Sequence, residues 1–165
     1  MHTQELYPSS PARDAIEDFE YMQFALIQAR QAADAGEVPI GAVVVDFRGI
    51  IVGAGFNAVE KERVQTAHAE FFAITQACKN LNDWRLCGAT IYVTIEPCAM
   101  CINLILLSRV SRLVFGAKSP IFGYALDNEG PMQVYRRNAL EIRGGVCAQE
   151  AALIMKNFFK EKRIK

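Results

Sequence analysis

The 165-residue chain has no apolar run long enough to cross a bilayer, and its N-terminus lacks the basic, apolar and small-residue succession of a secretory signal. A cytoplasmic address with no membrane partner is the expectation. Charge of one sign is missing as well: 18 Lys and Arg balance 18 Asp and Glu, which excludes a strongly basic nucleic-acid binder while leaving room for local basic patches. An even, disulfide-forming set of cysteines is absent. The five present are an odd number, and without a framework they suit a reducing compartment. There is no internal repeat and no low-complexity segment. What remains is 52% hydrophobic and 22% charged, the make-up of one ordinary globular domain large enough to bury a core.

Residues 1–18 mix Pro8, Ser9, Ser10 and Pro11 with charges at no sustained period, which predicts a flexible extension ahead of a single domain over 19–165. Apolar residues at helical spacing then predict a helix from Phe19 to Ala35, stopped by Gly36. The β-branched run Gly41–Asp46, a turn at Arg48-Gly49, and Ile50–Phe56 predict a hairpin whose first strand is buried on both faces. A helix from Ala67 to about Asn80 puts Phe71, Ile74, Cys78 and Leu81 on one stripe, expected to face the core. Further strands are expected at Ala89–Ile95, Arg112–Gly116 and Ala139–Arg143, and further helices from the Cys98/Cys101 pair to about Ser108 and from Ala148 to about Lys160. Strands alternating with helices make this an α/β chain, a three-layer sandwich.

The chemistry lies in two short stretches. Thr66-Ala67-His68-Ala69-Glu70 and, some thirty residues on, Glu96-Pro97-Cys98-Ala99-Met100-Cys101 together spell H-x-E…P-C-x-x-C, the signature of zinc-dependent deaminases. Either half alone is weak, since C-x-x-C also serves redox pairs and structural zinc knuckles. Cys98 and Cys101 are three apart and share a helix face, Pro97 suits a helix start, and the positive end of the helix dipole favours thiolates. His68 supplies a nitrogen from the first turn of a helix that Thr66 is expected to cap, and Glu70 lies close enough to share the site without ligating. Three protein ligands leave a tetrahedral position open, as in catalytic zinc sites, whereas structural sites close with four. The other histidine, His2, lies in the expected extension. Cys78 is about 15 Å along the helix from His68, Cys87 precedes the strand, and Cys147 stays open as a fourth ligand.

These residues resemble those of the bacterial tRNA-specific adenosine deaminases, within the cytidine-deaminase superfamily. The similarity extends to Gly36-Glu37-Val38-Pro39-Ile40-Gly41-Ala42-Val43, Gly55-Phe56-Asn57, Trp84-Arg85-Leu86, Ser108-Arg109-Val110, Val114-Phe115-Gly116-Ala117 and Asn157-Phe158-Phe159, from about Tyr21 onward. It implies a five-stranded mixed sheet with helices on both faces, and one zinc ion per subunit at the N-termini of two central helices. It also implies conversion of adenosine to inosine in a tRNA anticodon stem-loop, at the wobble position, with Glu70 carrying protons. Asn57, a turn former on spacing alone, becomes a substrate contact beside Pro39 and Ala69.

The acidic residue, Lys, Thr and Gly with which the family commonly continues after Ala117 are replaced by Lys118-Ser119-Pro120-Ile121-Phe122-Gly123, small residues after the second cysteine by Ile102-Asn103, and Asn-His by Arg137-Asn138. A deaminase of a free base, nucleoside or nucleotide therefore stays open, as does a zinc-stabilised binding protein, which would not need Glu70. Arg136 and Arg137, with Lys160, Lys162 and Arg163, offer phosphate contacts or else a solvated face. The nearly all-round apolar helix after Cys101 is either sandwiched in the core or partly covered by a second copy, a homodimer.

Overall fold

The computed structural model describes residues 14–126 and 140–164. Five strands form one sheet, β1 (Gly41–Val45), β2 (Ile51–Phe56), β3 (Thr90–Ile95), β4 (Arg112–Ala117) and β5 (Glu141–Arg143), in the order β2-β1-β3-β4-β5. β1 runs antiparallel to both neighbours, while β3, β4 and β5 are parallel. The start of β1 and the ends of β2, β3 and β4 therefore meet along one edge of the sheet. That edge carries the functional site.

Period-two alternation divides the core. Ala42, Val44, Ile91, Val93, Leu113 and Phe115 face α3 (Ala69–Leu81) and α4 (Ala99–Leu107). Val43, Val45, Tyr92 and Val114 face α1 (Ala15–Asp34) and α5 (Ala148–Ile164). A sheet covered on both faces explains why β1 and β3 carry no exposed position. The three-layer α/β/α sandwich expected from the sequence is the observed one.

Several local expectations need correction. The first helix starts four residues early, at Ala15, where the Asp14 carboxylate accepts from the backbone N–H groups of Ile16 and Glu17. The expected extension thus overlaps helix, and Asp18, assigned to it, is wholly buried. Its carboxylate accepts from Arg112 at 2.6 and 2.8 Å, from Tyr92 at 2.9 Å and from Arg143. Burial pushes this carboxyl up, but the hydrogen bonds from Arg112 and Tyr92 and the two guanidinium charges outweigh it and hold the group below the usual carboxylate range.

The stripe on α3 differs in part: Ile74, Cys78 and Leu81 pack in or against the core as expected, and Phe71 does not. Ala69, Ala73, Ile74 and Ala77 face inward, and Phe71 is exposed. The cause is close approach: a Cβ on Gly53 would stand 2.1 Å from the Ala73 carbonyl oxygen, and one on Gly55 would stand 2.7 Å from that of Ala69. The helix backbone rests directly on the two strand glycines, with the Cβ atoms of Ala77 and Phe72 as the nearest side-chain neighbours. A short helix α2 (Val59–Glu62) follows β2, and a 3-10 turn (Tyr124–Leu126) follows β4. Of the expected fifth strand, Glu141–Arg143 is strand, and α5 runs to Ile164.

Candidate metal centre and active site

α3 and α4 aim their N-termini at one spot. His68 is the N-cap of α3 and Cys98 the N-cap of α4, both with extended backbones, and Cys101 lies in the first turn of α4. His68 makes no side-chain hydrogen bond to its own helix, and the Cys98 sulfur faces Cys101 in the first turn, so both side chains are directed to the site. Thr66 does not cap: it is exposed, and its carbonyl accepts from His68 N–H at 2.8 Å. His68 Nδ1 stands 3.7 Å from Cys98 Sγ and 3.4 Å from Cys101 Sγ. The three ligand atoms lie within 4.8 Å of one another, the one His/Cys/Asp/Glu cluster among the described residues that could hold a metal ion. Cys147 is not part of it; its sulfur accepts from Gln23 Nε2 at 3.5 Å on the α1–α5 side.

The electrostatics match a donor set that must give up protons to bind a metal. The Cys101 thiol donates to the Cys98 sulfur and, with His68 and the helix terminus beside it, lowers Cys98 to about 4. The same hydrogen bond, burial and the Glu70 charge push Cys101 well up. His68 is raised, first by its hydrogen bond to Cys98, against burial. Glu70, 3% exposed, is held above the usual carboxylate range by burial, helped by the Cys98 charge and opposed by the His68 charge and a hydrogen bond with Cys101.

The sheet edge brings the other expected residues alongside. Pro39 and Ala69 are buried, and Asn57 is 5% exposed at the end of β2. Asn57 N–H donates to the Ile40 carbonyl at 3.0 Å, and Ala58 N–H to that of Ala67 at 2.9 Å, tying this strand end to the residue before His68. Lys160, Lys162 and Arg163 are exposed near the end of α5, with Lys162 Nζ 5.4 Å from the Phe158 ring centroid. Arg136 and Arg137 lie outside the described residues.

Two acidic residues escaped the sequence reading. Glu96, 6% exposed, accepts from Ser119 N–H at 3.1 Å and Ala125 N–H at 3.2 Å, while Tyr124 N–H donates to the Pro97 carbonyl at 3.0 Å. The segment after Ala117 is thereby pinned beside the start of the cysteine helix. A Cβ on Gly123 would come within 2.4 Å of the Glu96 carboxylate, so glycine is needed there. Glu37, 2% exposed, accepts from the Lys61 N–H at 2.7 Å, the Glu60 N–H at 3.2 Å and Asn57 Nδ2 at 3.5 Å. The available signal was a carboxylate directly ahead of the apolar Val38-Pro39-Ile40 run, where an unpaired charge would be costly.

Residues 16–163 match the family described as MafB19-like deaminase. The chain is similar to the tRNA-specific adenosine deaminase of Bacillus subtilis strain 168, at 43% identity over 90% of this chain and 92% of that one. It is 41% identical to the tRNA-specific adenosine deaminase of Buchnera aphidicola subsp. Schizaphis graminum, over 88% and 96%. Among solved structures it resembles a protein from work on A-to-I editing by tRNA:A34 deaminases at the wobble position of transfer RNA. The TM-score is 0.73 and the identity 37%, covering 82% of this chain and 98% of that one. The chain belongs to the MafB19-like deaminase family, together with the tRNA-specific adenosine deaminases.

Proposed function

We propose that this protein is a zinc-dependent hydrolytic deaminase that converts adenosine to inosine at the wobble position of a tRNA anticodon loop. The observation that carries it is the convergence of His68, Cys98, Cys101 and buried Glu70 at two helix N-termini, in a chain 43% identical to a tRNA-specific adenosine deaminase. The donor spacing fits zinc. Tetrahedral bonds of about 2.3 Å to sulfur and 2.0 to 2.1 Å to nitrogen separate those atoms by about 3.6 Å. The two nitrogen–sulfur distances, 3.4 and 3.7 Å, bracket that value.

When bound, zinc supplies a water acidic enough to yield hydroxide near neutral pH. The chain does the rest. Glu70, with its raised carboxyl, takes the proton of the attacking water and hands it to the purine ring nitrogen, then collects the proton of the hydroxyl added to the base carbon and delivers it to the departing amine as the C–N bond breaks and the C=O forms. Asn57, Pro39 and Ala69 form the base pocket. An unpaired anticodon loop suits such a site, because a base must leave its stack to reach a buried carboxylate. Lys160, Lys162 and Arg163 contact phosphates, with Arg136 and Arg137 assigned the same role. Met100 and Leu107, 40% and 48% exposed on α4, support a homodimer, and a tRNA substrate supports a cytoplasmic setting. No helix among the described residues is long and apolar enough to cross a membrane.

Glu70→Gln keeps the shape and removes the proton carrier. It should retain one zinc per chain and bound tRNA while losing 10²- to 10⁴-fold in inosine formation. Near-normal turnover by that variant would overturn the assignment.

A further inference from the structure

Glu37 is buried at 2% exposure, and the three groups donating to it all lie at the end of β2 or in the short helix that follows. Two are backbone N–H groups, of Glu60 and Lys61. The third is the side-chain amide of Asn57, whose Nδ2 stands 3.5 Å from Glu37 Oε2. A carboxylate only accepts hydrogen bonds, so the favourable orientation of the amide puts Nδ2 toward Glu37 and Oδ1 the opposite way. Among the described residues no donor reaches that oxygen, although Asn57 is 5% exposed. A buried acceptor with no partner is costly and rare in a folded protein, and it becomes satisfied when a ligand supplies the donor.

We infer that Glu37 is a positioning residue: it locks the Asn57 amide so that Oδ1 is presented as an acceptor to a hydroxyl or N–H donor of the nucleotide. The inference rests on the reading of Asn57 as a substrate contact. It assigns polarity to that contact: the protein accepts and the substrate donates. Glu37 never touches the substrate. Its anchors at Glu60 and Lys61 fix where the carboxylate sits, and so which end of the amide faces it.

A reciprocal exchange tests this. Glu37→Gln has the same size but brings a donor to face Asn57, turning the amide over and presenting a donor where the substrate also donates. kcat/KM should fall on the order of ten- to a hundredfold, the range for a buried hydrogen bond left unmade. Asn57→Asp alone sets two carboxylates against each other and should be worse. The double variant E37Q/N57D restores a donor–acceptor pair and keeps an oxygen toward the substrate, so it should regain at least tenfold over N57D. If Glu37 only braces α2, E37Q will lower N57D further, and the inference fails. Each enzyme is assayed on whichever substrate the unsubstituted protein deaminates, tRNA or free nucleoside, so failure of the tRNA reading is seen separately. Melting temperature at pH 8 gives a readout without substrate: N57D should lower it and E37Q should restore it. No recovery in either measurement refutes the pairing.

Discussion

Replacing Asp18 by alanine should cost more stability than its place near the N-terminus suggests. The substitution strips Arg112, itself 3% exposed, of its paired hydrogen bonds, and leaves it, among the described residues, Glu141 as its one ion-pair partner, a side chain 63% exposed at 2.9 Å. Breaking a buried ion pair by removing one partner costs about 3 to 5 kcal/mol, because the other charge stays buried and uncompensated. For a chain of this size each kcal/mol shifts the midpoint by about 2 to 4 °C, so D18A should melt roughly 6 to 20 °C lower. Asp18 is depressed below its ordinary value of 3.8, so its stabilisation is present above that pH and is lost as the pH falls through the lower folded-state value. Urea titrations at pH 7 and through the acid range should show D18A less stable at neutrality, with a flatter acid limb. Pairing D18L with R112M, which removes both charges, should recover part of the loss. A shift under 2 °C in D18A, or an unchanged acid limb, would refute the reasoning.

Metal removal should expose a reactive thiol. After chelation Cys98, lowered to about 4, should alkylate at a nearly constant rate from pH 8 to pH 5, where an ordinary cysteine slows about tenfold per unit, and buried Cys101 should lag. Neutralising Lys160, Lys162 and Arg163 should flatten the fall of tRNA affinity with rising salt while leaving zinc content unchanged, as a phosphate-contacting cluster requires. Sedimentation across the micromolar range should give a dimer, and Leu107→Glu should shift it toward monomer, since the charge would enter an apolar contact.

The candidate metal centre was legible because its information is local. Two stretches of five and six residues hold His68, Glu70, Cys98 and Cys101, and helix starts turn that spacing into convergence. The strands were legible because β1 is a continuous apolar run and β3 is rich in β-branched and aromatic residues, both buried on both faces. Asp18 was not, since its partner Arg112 stands 94 residues away and only the closed sheet brings them together. Glu37 and Glu96 were missed for a related reason: their donors are backbone N–H groups of later segments, which no side-chain pattern advertises. The α3 stripe held for Ile74, Cys78 and Leu81 and failed at Phe71, because the glycines on β2 admit the helix backbone closely along the Ala69, Ala73 and Ala77 face.

The most direct test is to incubate the zinc-loaded protein with total bacterial tRNA and, separately, with free bases and nucleosides, then to analyse for inosine, xanthosine and uridine. The account predicts inosine in tRNA, confined to the wobble position, and no turnover of the free compounds. Robust deamination of guanine, cytosine or cytidine, with no inosine formed in tRNA, would contradict it.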